Sequence, residues 1–140
     1  MADIFDKIVA GEIPSYKVYE DDDVLAFLDI SQVTPGHTLM VPKQHVADIF
    51  AYDEELAERV LTKLPKIARA IKASNPDIIG VNILSNNGEA AGQSVFHSHW
   101  HILPRYADDH VKIPTGDNSA DYTPEQYVAI ADNIIAQLED

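Results

Sequence analysis

Between Phe96 and Leu103 the chain reads FHSHWHIL, with histidine at every second position from 97 to 101. An extended strand sends successive side chains to opposite faces, so this period puts His97, His99 and His101 on one face and Ser98, Trp100 and Ile102 on the other. Three imidazoles on one strand face give up positions that would otherwise build core, which implies a ligand, a metal or proton transfer.

The surrounding pattern supplies a frame for that strand. Ile4, Phe5, Ile8 and Val9 fall at helical spacing and predict a short helix over 3–10, ended by Gly11 and Pro14. Two β-rich runs between Tyr16 and Ile30, split by an acidic triplet, predict a hairpin, and His37–Pro42 a third strand. From Asp53 to Ser74 the repeat Leu56, Val60, Leu64, Ile67, Ile71 predicts an amphipathic helix kinked at Pro65, with its acids first and its bases last. Ile78–Leu84 and Phe96–Leu103 complete five strands, joined by a turn-rich loop in which Gly88 and Gly92 allow close backbone approach to a ligand. A long aperiodic stretch follows Pro104, and Thr123-Pro124 with Gln126 then predicts the capped start of a last helix running through Leu138. Paired strands with grouped helices predict an α+β fold on an antiparallel sheet, as one domain over 1–140.

Composition narrows the function. A net charge of −13 disfavours a nucleic-acid partner, yet a local pocket of amides and imidazoles still accommodates a small phosphorylated ligand. The absence of cysteine removes disulfides, thiol nucleophiles, Fe–S clusters and thiolate zinc sites. The first fourteen residues carry neither a signal-peptide apolar stretch nor a membrane span, so a soluble cytoplasmic protein without a membrane partner is expected.

Two chemistries suit the alternating histidines. In the metal reading, the outer pair would stand about 13 Å apart on an extended strand, so all three cannot reach one ion, and a two-histidine site would need His37, His45 or a carboxylate. In the nucleophile reading, His99 attacks phosphorus with one ring nitrogen while an acceptor holds the other, and His97 and His101 neutralise the phosphoryl oxygens. Ala91-Gly92-Gln93-Ser94, just upstream, supplies a hydroxyl for the leaving group and amides for the phosphate.

The run His97-Ser98-His99-Trp100-His101-Ile102-Leu103 resembles the signature of the histidine triad (HIT) family, with Ser98 where an apolar residue is usual. DIFDKIVAGEIPSYKVYEDDDVLAFLDI, PGHTLMVPKQH and NNGEAAGQSVFHSHWHILPR resemble its Hint branch and bacterial relatives, so 1–105 forms the matched core and 106–140 a C-terminal loop and helix. The resemblance implies the HIT-like fold as a homodimer, no cofactor, and a purine nucleotide such as AMP or a nucleotide conjugate as ligand. It implies cleavage of P–N bonds of nucleoside phosphoramidates at the α-phosphate through a nucleotidyl-His99 intermediate. His97, His101, His37 and Ser94 assist, while Asn86, Gly92 and Gln93 lie at the phosphate, Asp29 at the ribose, and Ile4, Phe5, Ile8, Phe27 and Ile30 around the base. Two other readings stay open: a dinucleoside polyphosphate hydrolase, in which Arg105 meets a distal phosphate, and a nucleotide-binding interaction module with weak residual activity. Several of these residues also have plainer readings, with Asp29, Asn86 and Gly88 as turn formers, His45 as a strand cap and His110 as a solvated side chain. Many bacterial relatives carry two zinc-binding cysteines at the positions of Asp3 and Asp6. Carboxylates on a short exposed helix substitute poorly for thiolates, so no metal is expected.

Overall fold

The computed structural model describes residues 2–139. They form two compact units, one ending at His110 and one beginning at Val111. In the first, a short helix α1 (Ile4–Val9) precedes strands β1 (Lys17–Glu20), β2 (Val24–Leu28) and β3 (Thr38–Pro42). Helices α2 (Glu54–Leu61) and α3 (Leu64–Ala73) follow, then strands β4 (Gly80–Leu84) and β5 (Trp100–Arg105). All pairings are antiparallel, in the order β1-β2-β3-β5-β4, which is the α+β arrangement expected.

The unbroken apolar runs of β2 and β3 follow from helices covering both sheet faces. Val24, Ala26, Met40, Trp100 and Ile102 pack on Leu56 and Val60 of α2 and on Ile67 and Ile71 of α3. Their sequence neighbours Leu25, Phe27, Leu39 and Val41 face the other way, onto Phe5 and Ile8 of α1. The acidic β1–β2 turn is built by Asp21, whose Oδ1 accepts the Asp23 and Val24 N–H groups at 2.8 Å, and it meets α2 through the Asp23–Arg59 ion pair at 2.9 Å.

Two expectations are corrected. The helix predicted over 53–74 is two helices, since Pro65 has no N–H to give Leu61 and its ring clashes there; α2 stops at Leu61 and Pro65 instead occupies the first turn of α3. The fifth strand begins at Trp100, so His97 and His99 stand on the irregular segment leading into it.

In the second unit, α4 (Pro124–Ile135) opens with the expected capping box. Gln126 Oε1 accepts the Thr123 N–H at 2.8 Å, and Thr123 Oγ1 accepts the Gln126 N–H at 3.2 Å. No helix among the described residues is long and apolar enough to cross a membrane.

Candidate active site

The α1 face of the sheet opens into a cavity of about 480 Å³, a size that suits a small organic ligand. Ile4, Phe5 and Ile8 wall it from α1, Phe27 and Leu39 from the sheet, and Asp29 and Ile30 from the turn after β2. Asn86, Gly92, Ser94 and Val95 reach it from the loop before β5, and His99 and His101 stand at its base. Ile13, Pro14, Ser15, Tyr16 and Leu28 also line it; no periodicity marked them, because they belong to the connection after α1 and the end of β2.

Backbone groups that can only donate or only accept set the ring tautomers. The His97 carbonyl accepts from His99 Nδ1 at 2.8 Å, so that nitrogen carries the proton and the lone pair of neutral His99 is on Nε2. His37 Nδ1 accepts the Val33 N–H at 3.4 Å, which leaves its proton on Nε2 to donate to His101 Nδ1 at 3.0 Å. Neutral His101 then carries its own proton on Nε2, a donor for a phosphoryl oxygen. The rings of His99 and His101 lie 5.2 Å apart, edge to face.

Burial, then His99, then His37 push the His101 pKa down to about 4 against the pull of Asp29, and burial likewise lowers His37. A group whose native pKa is depressed below its unfolded value of about 6.5 costs stability once the unfolded chain can take the proton and the native one cannot. Stability therefore falls as the pH drops from about 6.5 toward 4. Urea unfolding at stepped pH is expected to show this slope in the wild type and a flatter one in His101→Gln; equal slopes would remove His101 as its source.

Three expected site residues do not line the cavity. His37 is buried behind His101, its Nε2 also 3.8 Å from Asp29 Oδ2. Gln93 folds the loop, accepting the Gly88 N–H at 2.8 Å and donating to the Ala47 carbonyl at 2.6 Å. His97 turns away beneath α1, where its Nε2–H donates to the Pro42 carbonyl at 2.9 Å. The pattern that placed three imidazoles on one face was right about the side of the sheet and silent about this turn, because His97 precedes the strand. Asp29 serves in two ways, its Oδ1 accepting the Ser31 N–H at 2.8 Å in a turn while the residue lines the cavity. Ser98, unusual within the signature, is buried with its Oγ 3.0 Å from the Tyr52 hydroxyl. Arg105 lies outside the cavity, held by Asp109 at 2.8 Å and Asn82 at 2.8 Å.

Asp3, Asp6, His45 and His97 make a second cluster, at the N-terminal end of α1. The capping box of α1 uses one oxygen of each aspartate: Asp3 Oδ1 accepts the Asp6 N–H at 2.8 Å, and Asp6 Oδ2 accepts the Asp3 N–H at 3.0 Å. The remaining oxygens, Asp3 Oδ2 and Asp6 Oδ1, each lie 3.3 Å from His97 Nδ1.

Residues 10–108 match the HIT domain. A crystal structure of a HIT family member from Bacillus subtilis is similar to this chain, at a TM-score of 0.94 and 51% identity, with 98% of this chain and 97% of that one covered. The adenosine 5′-monophosphoramidase hnt1 of Schizosaccharomyces pombe is 35% identical over 139 residues, 99% of this chain and 100% of the relative. The adenylylsulfatase HINT3 of Arabidopsis thaliana is 42% identical over 107 residues, 76% of this chain and 53% of the relative.

Proposed function

The chain belongs to the HIT family, and from that premise we propose that it is a nucleotide hydrolase that cleaves nucleoside phosphoramidates at the α-phosphate through His99. The observation that carries this reading is the tautomer of His99: its Nδ1–H is committed to the His97 carbonyl at 2.8 Å, so Nε2 is a nucleophile at a cavity wall. The names of the fission-yeast and plant relatives point the same way.

The steps follow from the donors present. His99 Nε2 gives its lone pair to the α-phosphorus and the P–N bond breaks. The departing amine keeps the bonding pair and takes the Ser94 hydroxyl proton, which a solvent water replaces on the hydroxyl in the same relay. His101 Nε2–H donates to a phosphoryl oxygen as charge gathers there, and the Asn86 amide and the Gly92 backbone complete the phosphate seat. Water then attacks the nucleotidyl-imidazole and returns one proton through the same hydroxyl. The P–N bond to His99 breaks and the ring recovers its lone pair. Ile4, Phe5, Ile8, Phe27 and Ile30 take a purine base on their apolar surfaces, and Asp29 takes the ribose hydroxyls. His37 acts through His101, by fixing its tautomer.

No lysine or arginine among the described residues lines the cavity, which favours the single charge of an α-phosphate over a polyphosphate chain, since the latter normally recruits fixed cations. A cytoplasmic homodimer completes the proposal, with β4 at a sheet edge and its Ile83 and Leu84 exposed.

The test compares kcat/KM for adenosine 5′-phosphoramidate with that for diadenosine polyphosphates. A preference for the phosphoramidate of roughly tenfold or more is expected. A reversed preference would identify a polyphosphate hydrolase, and tight AMP binding without turnover of either would identify a binding module.

A further inference from the structure

The loop from Asp29 to His37 joins β2 to β3 and has a site residue at each end. Within it Gln32 holds φ at +41°, the left-handed region that side chains other than those of asparagine and aspartate rarely enter. Its side chain is half-buried and fully committed. Oε1 accepts the Gly36 N–H at 2.9 Å, and Nε2 donates to the Asp29 carbonyl at 2.6 Å and to the His37 carbonyl at 2.7 Å. One acceptor oxygen beside two N–H donors is the bonding set of a carboxamide. The amide thus staples one end of the loop to the other, while Gln32 itself does not line the cavity.

Between His37 Nε2 and His101 Nδ1, 3.0 Å apart, there is room for one proton. With that proton on His37, neutral His101 presents Nε2–H to the cavity. With it on His101 Nδ1, neutral His101 presents a lone pair, which repels a phosphoryl oxygen. Two groups keep the proton on His37. The Val33 N–H occupies His37 Nδ1 at 3.4 Å, and Asp29 Oδ2 lies 3.8 Å from His37 Nε2. Both groups sit on the turn that Gln32 ties to the His37 backbone. The Val33 N–H belongs to the planar peptide that follows Gln32, so the left-handed dihedrals of Gln32 aim it.

We propose that Gln32 is a positioning residue of the active site: by closing the 29–37 loop with its side-chain amide, it keeps the shared proton on His37 and makes His101 Nε2 a donor to the phosphoryl oxygen. The catalytic consequence rests on the hydrolase reading above, whereas the hold on the proton does not. The His99 tautomer is set separately, by the His97 carbonyl, and is independent of the clamp.

The experiment records long-range proton–nitrogen NMR correlations of the histidine rings, which separate bare from protonated nitrogens, at about pH 8, where imidazoles are neutral. It uses the full chain and two variants. Gln32→Glu keeps the length and the oxygen for Gly36 but turns an acceptor on the two carbonyls, and Gln32→Gly suits the positive φ while removing the clamp. In the wild type, His37 and His101 are each expected to show a bare Nδ1 and a protonated Nε2. In both variants these two rings are expected to shift together toward a mixture with the opposite pattern, while His99 keeps its own. Turnover of adenosine 5′-phosphoramidate is expected to fall roughly tenfold in kcat, with AMP affinity within about threefold of the wild type. Wild-type ring patterns in Gln32→Gly would overturn the clamp, since that variant accepts the backbone and lacks the amide. So would a bare His101 Nε2 in the wild type, or a His99 pattern displaced along with the other two, the mark of general loosening. A shifted pattern with unchanged kcat would overturn the catalytic consequence. The ring patterns are read without substrate, so absent turnover in the wild type would overturn the hydrolase reading and leave the hold on the proton decided by its own spectra.

Discussion

Replacing His99 with asparagine is expected to lower kcat for adenosine 5′-phosphoramidate by a factor on the order of 10⁴ to 10⁶, the range seen when a covalent nucleophile is removed. Asparagine keeps an N–H for the His97 carbonyl that now accepts from His99 Nδ1 at 2.8 Å, so the local backbone keeps its partner. It offers no nitrogen lone pair for attack, because the amide nitrogen is delocalised into its carbonyl. Binding and chemistry therefore separate. AMP affinity stays close to that of the wild type, while rapid-quench mass spectrometry finds a nucleotidylated protein only in the wild type. Wild-type turnover in His99→Asn would place the nucleophile elsewhere, and an adduct on the variant would do so directly.

Trp100→Ala carries the largest expected loss of stability, about 3–5 kcal/mol. Trp100 opens β5 on the face opposite His99 and His101, 6% exposed and packed in the core with Met40, Ile102 and the helices. Its ring meets Tyr52 edge to face at 5.5 Å. Truncation leaves a cavity that the paired strands on either side cannot close, and for a chain of this length the loss lowers Tm by about 10 °C. Urea unfolding and calorimetry measure it. At a temperature where the variant is fully folded, kcat for the phosphoramidate stays within about threefold of the wild type, since the side chain touches the core and not the cavity. A Tm within two or three degrees of the wild type, taking about 1 kcal/mol as a shift of that size, would contradict the packing argument. Lost turnover with an unchanged Tm would contradict the division of faces.

That division was legible in the sequence, because a two-residue period needs only the local geometry of an extended chain. The same kind of local rule made the α1 terminator, the capping box of α4 and the break at Pro65 readable, although the proline's effect was expected as a kink and is a full interruption. The cavity walls were harder. Ile4, Phe5, Ile8 and Phe27 could be named from resemblance, but as apolar residues they carry no mark that separates a ligand wall from a core. Pro14 and Tyr16 were legible as a helix terminator and the start of a strand run but not as cavity walls, since that place depends on where the chain runs after α1.

By itself, then, the sequence determined the period of the histidines, the face each takes, the apolar halves of strands and helices, and the absence of any thiol. Those depend on backbone geometry and residue chemistry within a few positions. Only the tertiary structure decided which ring nitrogens are bare, because tautomers follow from donors and acceptors brought in by other segments: the Pro42 carbonyl, an acceptor, for His97, and the Val33 N–H, a donor acting through His37, for His101. It also decided that His97 leaves the cavity and joins His45, 52 residues earlier in the chain, and the two aspartates of α1 around one point. A cluster assembled from three separate segments has no period to read, and its meaning lies in the distances between its atoms.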